Sequence, residues 1–243
     1  MKQIDHIVVD VGNSQCKLGT VQAGQILEVS TYALEDCAYQ PWRHKPVSSL
    51  LSLRVPWTLS GSNPPIINKF ADWLAQHQQN YRVVDASTPL PLVIHVDEPE
   101  RVGRDRLLNA LAVPSKPAII ISAGSAVTVD AVDADGAFLG GAIFPGLRLM
   151  AKSLHEYTAK LPMIDAAPPA PRLPGKNTED AMHAGVVQAV VGGIIGCVNS
   201  MQPLLHSPTI YLTGGDGPAL QPLLPWKTIQ EPWLALQGIL RIA

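Results

Sequence analysis

The chain says much the same thing twice. An apolar strand, His6-Ile7-Val8-Val9, runs into Asp10 and the turn Val11-Gly12-Asn13-Ser14. A second apolar strand, Ala118-Ile119-Ile120-Ile121, runs into Ser122-Ala123-Gly124-Ser125. Each turn is followed by another strand, Cys16 to Val21 in the first case and the alternating Val127, Val129 and Ala131 in the second. Each then reaches a glycine-containing turn, Ala23-Gly24 or Asp133-Ala134-Asp135-Gly136, and a third strand from Gln25 or Phe138. Both halves therefore read as antiparallel meanders with turn residues where a meander needs them. Gly12 and Gly124 lie close to half a chain length apart in 243 residues. Two lobes of one topology, facing each other across a cleft, would produce this echo; two unrelated meanders alike by chance are the alternative. The expected division is 1–114 and 115–243.

Helical spacing between the strands makes the chain α/β. Ile67, Phe70, Ala71 and Leu74 share one helical face, and Arg104 to Val113 reads as a helix with Leu107, Leu108 and Leu111 on one side. Tyr81 to Val84 and Thr209 to Leu212 read as further strands. Pro145-Gly146 opens a helix to about His155, and Leu161 to Gly175, with five prolines, is a loop. Asn177 to about Leu205 reads as one or two helices, and a short helix near Trp233 to Leu240 closes the chain.

Composition narrows the function. Hydrophobic residues are 47% and charged residues 16%, which is enough to build a core. The net charge of -2 and the absence of a basic stripe argue against nucleic acid or an anionic membrane as the main partner. Cys16, Cys37 and Cys197 are odd in number, far apart and without metal-ligand spacing, which suits a reduced, cytoplasmic protein. The apolar run at Ile7 is too short for a signal peptide core, and Ala184 to Val198, which contains Gln188, is read as falling short of a membrane span.

The first turn has the chemistry a phosphate tail needs. Gly12 permits close backbone approach, and Asn13, Ser14 and Lys17 supply donors and a cation. Asp10, at the strand end, can hold Mg²⁺ directly or through water. An ordinary hairpin uses the same residue types. The second turn, with Thr128 and Asp130 beyond it, could hold phosphates in the same manner. It also excludes an aspartic protease, which needs a carboxylate at both turns, because Ser122 stands at the second.

Gly103-Arg104-Asp105-Arg106 opens a helix. Asp105 there either complements the helix N-terminus or serves as general base for a substrate hydroxyl, with Arg106 on an anionic group. Thr213-Gly214-Gly215-Asp216-Gly217 has glycines against which a purine or ribose could lie. Asn177-Thr178-Glu179-Asp180 is a helix-capping signature.

In this order the motifs resemble the type III pantothenate kinases, of the actin-like (ribonuclease H-like) superfamily that includes acetate and sugar kinases. The matching pieces are Asp10 to Ser14 with Lys17, Gly103 to Arg106, and Ala123 to Asp130. Gly140 to Gly146, Asn177-Thr178 with Gly185, and Thr213 to Asp216 complete the set. The resemblance spans almost the whole chain. It implies two similar lobes, each a mixed sheet with flanking helices, around a nucleotide cleft. It implies phosphorylation of the terminal hydroxyl of pantothenate by ATP with Mg²⁺, the first committed step to coenzyme A. Asp10, Val11, Gly12, Asn13, Ser14, Gln15, Cys16, Lys17 and Ser125 would contact ATP. Gly103, Arg104, Asp105, Arg106 and Thr178 would contact pantothenate, with Asp105 as proton acceptor. A homodimer and a monovalent cation, K⁺ or NH4⁺, are implied as well. Three positions depart from the family pattern. Ser122 stands where an aspartate usually helps hold the monovalent cation, Ser125 where threonine is usual, and no tyrosine lies between Val93 and Arg101. A regulatory, non-catalytic relative and a kinase for another small hydroxy acid are the rival readings.

Overall fold

A computed structural model describes residues 4–34, 42, 45–168 and 173–243. Cys37 and part of the proline-rich loop lie outside the described residues. The chain forms two compact units, one of residues 1–92, 97–112 and 234–243, the other of 93–96 and 113–233.

In the first unit β1 (His6–Val11), β2 (Gln15–Gln22) and β3 (Gln25–Ala33) form the meander expected from the sequence. After a short α1 (Lys45–Leu50), β4 (Trp57–Gly61) joins β1 in parallel, and α2 (Pro64–Gln76) leads to β5 (Tyr81–Val83). The sheet order is β3-β2-β1-β4-β5. α2 is capped by Asn63, whose side chain accepts from the Ile66 N–H, and it buries Ile67, Phe70, Ala71, Trp73 and Leu74. These residues meet Ile7, Val9, Val11 and Leu59 from alternate positions of the strands, so one sheet face is core. Trp42 stacks on Phe70 with ring centroids 4.9 Å apart. The opposite face receives α3 (Arg104–Ala112) and α7 (Leu234–Leu240).

The second unit repeats the plan. β6 (Ala118–Ala123), β7 (Ala126–Val132) and β8 (Phe138–Pro145) form its meander, and α4 (Leu147–Glu156) follows. α5 (Thr178–Leu205), β9 (Thr209–Thr213), a short α6 (Gly217–Leu220) and β10 (Ile229–Gln230) complete it. Its order, β10-β9-β6-β7-β8, is the first sheet's order with β9 and β10 in place of β4 and β5. Duplication is therefore visible in register as well as in pattern.

Two details differ from the sequence reading. The closing helix α7 belongs to the first unit, where Arg82 Nη1 donates to the Ile242 carbonyl at 2.8 Å and Arg241 Nη1 to the Leu111 carbonyl. Residues 93–96 belong to the second, because the Phe138 N–H donates to the Val93 carbonyl at 2.9 Å and the His95 N–H to the Phe138 carbonyl at 2.8 Å. A third detail corrects an estimate of length. α5 is a single helix of 28 residues, and by length and composition it could cross a membrane, contrary to the shorter span read from Ala184 to Val198. Its Val186, Val187, Val190, Ile194 and Val198 are buried among Ile119, Ile121, Val127 and Val129, as the core helix of the second unit.

Candidate functional site

The first turn is built by register. Asp10 on β1 lies opposite Lys17 on β2 and beside Ser60 on β4. Because side chains alternate along a strand, Val11 and Cys16 point into the core while Asp10 and Lys17 share the other face. Val11 and Cys16 can thus offer a ligand only their backbone. The Gly12 N–H donates to the Gln15 carbonyl at 2.9 Å, which closes the turn and leaves Asn13 and Ser14 exposed. Gly61, at the end of β4, has φ 141, and a Cβ there would lie 2.1 Å from the Val11 carbonyl oxygen. Only glycine lets β4 close so tightly onto the start of the turn. Ser60 and Gly61 escaped the sequence reading, because Trp57 to Gly61 is a short run next to Pro56 with a polar end.

The Gly103-Arg104-Asp105-Arg106 turn opens α3. The Asp105 carboxylate accepts hydrogen bonds from the backbone N–H groups of Arg106 and of Asp105 itself. Burial nonetheless raises its pKa, against those hydrogen bonds and the nearby Arg106 charge. Asp10 is only 8% exposed, and its pKa is pushed up to about 6. Burial is the main cause; Lys17 works against it, and the Asp105 charge adds to it. The structure therefore brings Asp10, Lys17 and Asp105 within electrostatic reach. Arg104, one residue away, behaves differently. Its side chain is buried and Nη2 donates to the Thr88 carbonyl, so this donor is turned to the protein.

The second turn has the same backbone and different side chains. The Gly124 N–H donates to the Ala126 carbonyl at 3.1 Å, and Gly214, with φ 91, would place a Cβ 2.1 Å from the Ala123 carbonyl oxygen. The Asp216 N–H donates to the Ala123 carbonyl at 3.0 Å and the Gly146 N–H to the Ser125 carbonyl at 2.9 Å. The turn is thus held from two sides, with Ser125 exposed at its tip. Ser122 lies between Thr128 and Thr213 in register. Thr128 Oγ1 donates to Asp130 Oδ2 at 3.0 Å, and Asp130 is fully buried. Asp216 is pushed up by burial, opposed by Arg148 and helped by Asp165. Thr178 is exposed in the first turn of α5, whose N-cap is Asn177, accepting from the Asp180 N–H at 2.7 Å.

Among the described residues no group of three or more His, Cys, Asp or Glu could hold a metal by itself. Mg²⁺ does not need one, since it is commonly held by one or two carboxylates, waters and the phosphates of the substrate. Two carboxylates in mutual reach, one with its pKa raised by burial and further by the charge of the other, fit such an ion.

Two five-stranded sheets of matching order, each with a glycine-locked turn after its first strand, define an actin-like α/β fold. A conserved Baf family protein from Campylobacter jejuni superposes with a TM-score of 0.64 at 18% identity, covering 97% of this chain and 96% of its own. Component A of (R)-2-hydroxyglutaryl-CoA dehydratase from Acidaminococcus fermentans gives 0.54 at 15% identity, covering 98% and 95%. Sequence comparison is more specific. The type III pantothenate kinase family profile matches residues 6–200. The type III pantothenate kinase of Phocaeicola vulgatus is 29% identical over 98% of this chain and 97% of its own length. That of Roseiflexus sp. (strain RS-1) is 31% identical over 96% of each. The chain belongs to the type III pantothenate kinase family.

Proposed function

We propose that this protein phosphorylates pantothenate with ATP, giving 4'-phosphopantothenate at the entry to coenzyme A synthesis. Family membership over almost the whole chain supports the reaction. The observation that carries the mechanism is the pair of buried carboxylates Asp10 and Asp105, beside Lys17 and Arg106. Asp105 accepts the proton of the acceptor hydroxyl, and the raised pKa that burial gives it makes it a better base than an exposed aspartate. Arg106 binds the acceptor carboxylate or the transferring phosphoryl group. The backbone from Asp10 to Lys17 cradles the phosphates, with the Lys17 charge, the Asn13 and Ser14 side chains and, from the second turn, the Ser125 hydroxyl. Gly103 and Thr178 complete the acceptor contacts. Asp10 is the residue that would hold Mg²⁺, which when bound balances the charge of the polyphosphate.

The monovalent cation is a separate matter. Ser122, Thr128 and Thr213 form a row of neutral hydroxyls, and the nearby Asp130 already accepts from Thr128. A site without a free carboxylate holds K⁺ or NH4⁺ weakly, so the reaction in this protein depends little on either. The protein acts as a homodimer in the cytoplasm, a compartment in which the thiols of Cys16 and Cys197 stay reduced.

A coupled assay of ADP release with pantothenate, run in sodium, potassium and ammonium salts, tests the reading. Pantothenate-dependent turnover at similar rates in all three salts is expected. No turnover in any salt would favour the non-catalytic alternative, and a better kcat/KM with another hydroxy acid would reassign the acceptor. Light scattering after size exclusion checks the dimer.

A further inference from the structure

We propose that Arg104 is a positioning residue: it clasps the segment 85–92 to the first turn of α3 and so holds Asp105 in register. The chain leaves the first unit after Leu92, pairs through 93–96 with β8, and returns at Asp97 to start α3 a few residues later. Thr88 lies on the outgoing side of this excursion and Arg104 on the returning side. The contact from Arg104 Nη2 to the Thr88 carbonyl joins them across sixteen residues of sequence. It thereby closes the excursion at its neck, where free chain entropy would otherwise enter the base-bearing turn.

The receiving end is itself ordered. Asp85 Oδ1 accepts from the Ser87 N–H at 2.9 Å, the Ser87 hydroxyl at 2.7 Å and the Thr88 N–H at 3.2 Å. These bonds fix the peptide that presents the Thr88 carbonyl. The Asp85 charge also favours the charged form of Arg104, whose burial disfavours it. Arg104 is 9% exposed, and its Nε is buried without a partner. Burying a guanidinium with one donor unsatisfied is costly, so the contact it does make must hold something. Neighbouring residues on a helix point in different directions, so Arg104 can serve the clasp while Asp105 faces elsewhere.

The test is Arg104→Met, which keeps the aliphatic stem and removes the donors, alongside Arg104→Lys and Asp85→Asn. Hydrogen exchange is read on peptides covering 86–92 and on those covering β1 and β2. Expected for Arg104→Met is about tenfold faster exchange at 86–92, the size of one lost charge-assisted hydrogen bond, with no change at β1 and β2. If the proposed reaction is right, kcat falls by about the same factor while the KM for ATP is unchanged, since the phosphate turn is not touched. The acid limb of the pH profile stays in place, because the proton affinity of Asp105 is set by burial, opposed by the helix N–H groups and Arg106, with no contribution from Arg104. Arg104→Lys restores part of both, and Asp85→Asn shifts both in the same direction more weakly. Unchanged exchange at 86–92 overturns the clasp, as does an equal loss at β1 and β2 or in ATP affinity. Should Arg104→Met fail to fold, exchange in Asp85→Asn and Arg104→Lys decides. Exchange needs no turnover, so absence of pantothenate phosphorylation would remove the functional reading and leave the clasp to be judged by itself.

Discussion

Replacing Asp10 by Asn should make the ligand-free protein more stable and the enzyme worse. The folded pKa of Asp10 is about 6, against an ordinary value of 3.8. Between those values the folded chain holds a proton that the unfolded chain has released, so stability falls as pH rises through this window and stays low above it. A shift of that size corresponds to about 3 kcal/mol lost at pH 7.5, at about 1.4 kcal/mol per pKa unit. Asp10 is nearly inaccessible, so little of this is screened by solvent. Asparagine has the shape of the protonated acid and keeps its environment, Lys17 included. It removes the cost without opening a cavity.

Thermal melts of the wild type and Asp10→Asn, without nucleotide, across pH 4 to 8 would read this directly. The variant should gain about 3 kcal/mol at pH 7.5, a rise on the order of 6–12 °C in the midpoint for a chain of this size. The gain should shrink below pH 6 and vanish near pH 4. Adding Mg²⁺ and ATP at about a thousand times Kd should reverse the ordering, because the wild type gains about 4.1 kcal/mol there and the variant, without its carboxylate, gains much less. An Asp10→Asn protein less stable than wild type at pH 7.5, or a difference that ignores pH, would refute the electrostatic account of this residue.

Asp105→Asn should lower kcat by about two to four orders of magnitude, the usual worth of a general base, with circular dichroism unchanged; undiminished turnover would end its assigned role. Gly61→Ala should cost about 3 kcal/mol or more in the melt of the first unit, since it adds a Cβ against the Val11 carbonyl at a φ that suits glycine. Gly196→Ala, in mid-helix with open space around the new methyl, should instead be neutral or gain up to about 1 kcal/mol. Ser122→Asp should make turnover rise with potassium over sodium, where the natural protein responds little; an unchanged salt response would show that the hydroxyl row is not where a cation binds.

The strands that carry the candidate site were legible because they are apolar runs ending in a charged or glycine-rich turn, and each half makes the other easier to read. Asp10, Lys17 and Asp105 could be named from sequence because the ordered set of turns that carries them is specific, although each residue type alone is ordinary at a strand end or helix start. β4 was not legible. Its five residues sit after Pro56 and end in Ser60-Gly61, with too little alternation to announce a strand, yet it is the parallel partner of β1 and closes tightly onto the start of the first turn. The destination of Arg104 was equally hidden, since its partner is a backbone carbonyl sixteen residues earlier and no side-chain pattern encodes that. The return of α7 to the first unit depends on contacts at the far end of the chain, with Leu108, Leu111 and Arg82, which periodicity cannot see.

The duplicated scaffold makes the differences between its copies informative. Equivalent positions across three adjacent strands read Lys17, Asp10 and Ser60 in one unit and Thr128, Ser122 and Thr213 in the other. Backbone geometry is shared, down to a positive-φ glycine pressed against the carbonyl that opens each turn. Only the charge differs. At these paired strand-end positions a carboxylate and a lysine stand only in the first unit, while the second has hydroxyls. A second carboxylate at Ser122 would add negative charge where a polyphosphate is to be held, and would need a cation of its own to offset it. The neutral row avoids that requirement. If both turns grip phosphate as proposed, the substitution at a single strand end decides which of them would work through a metal.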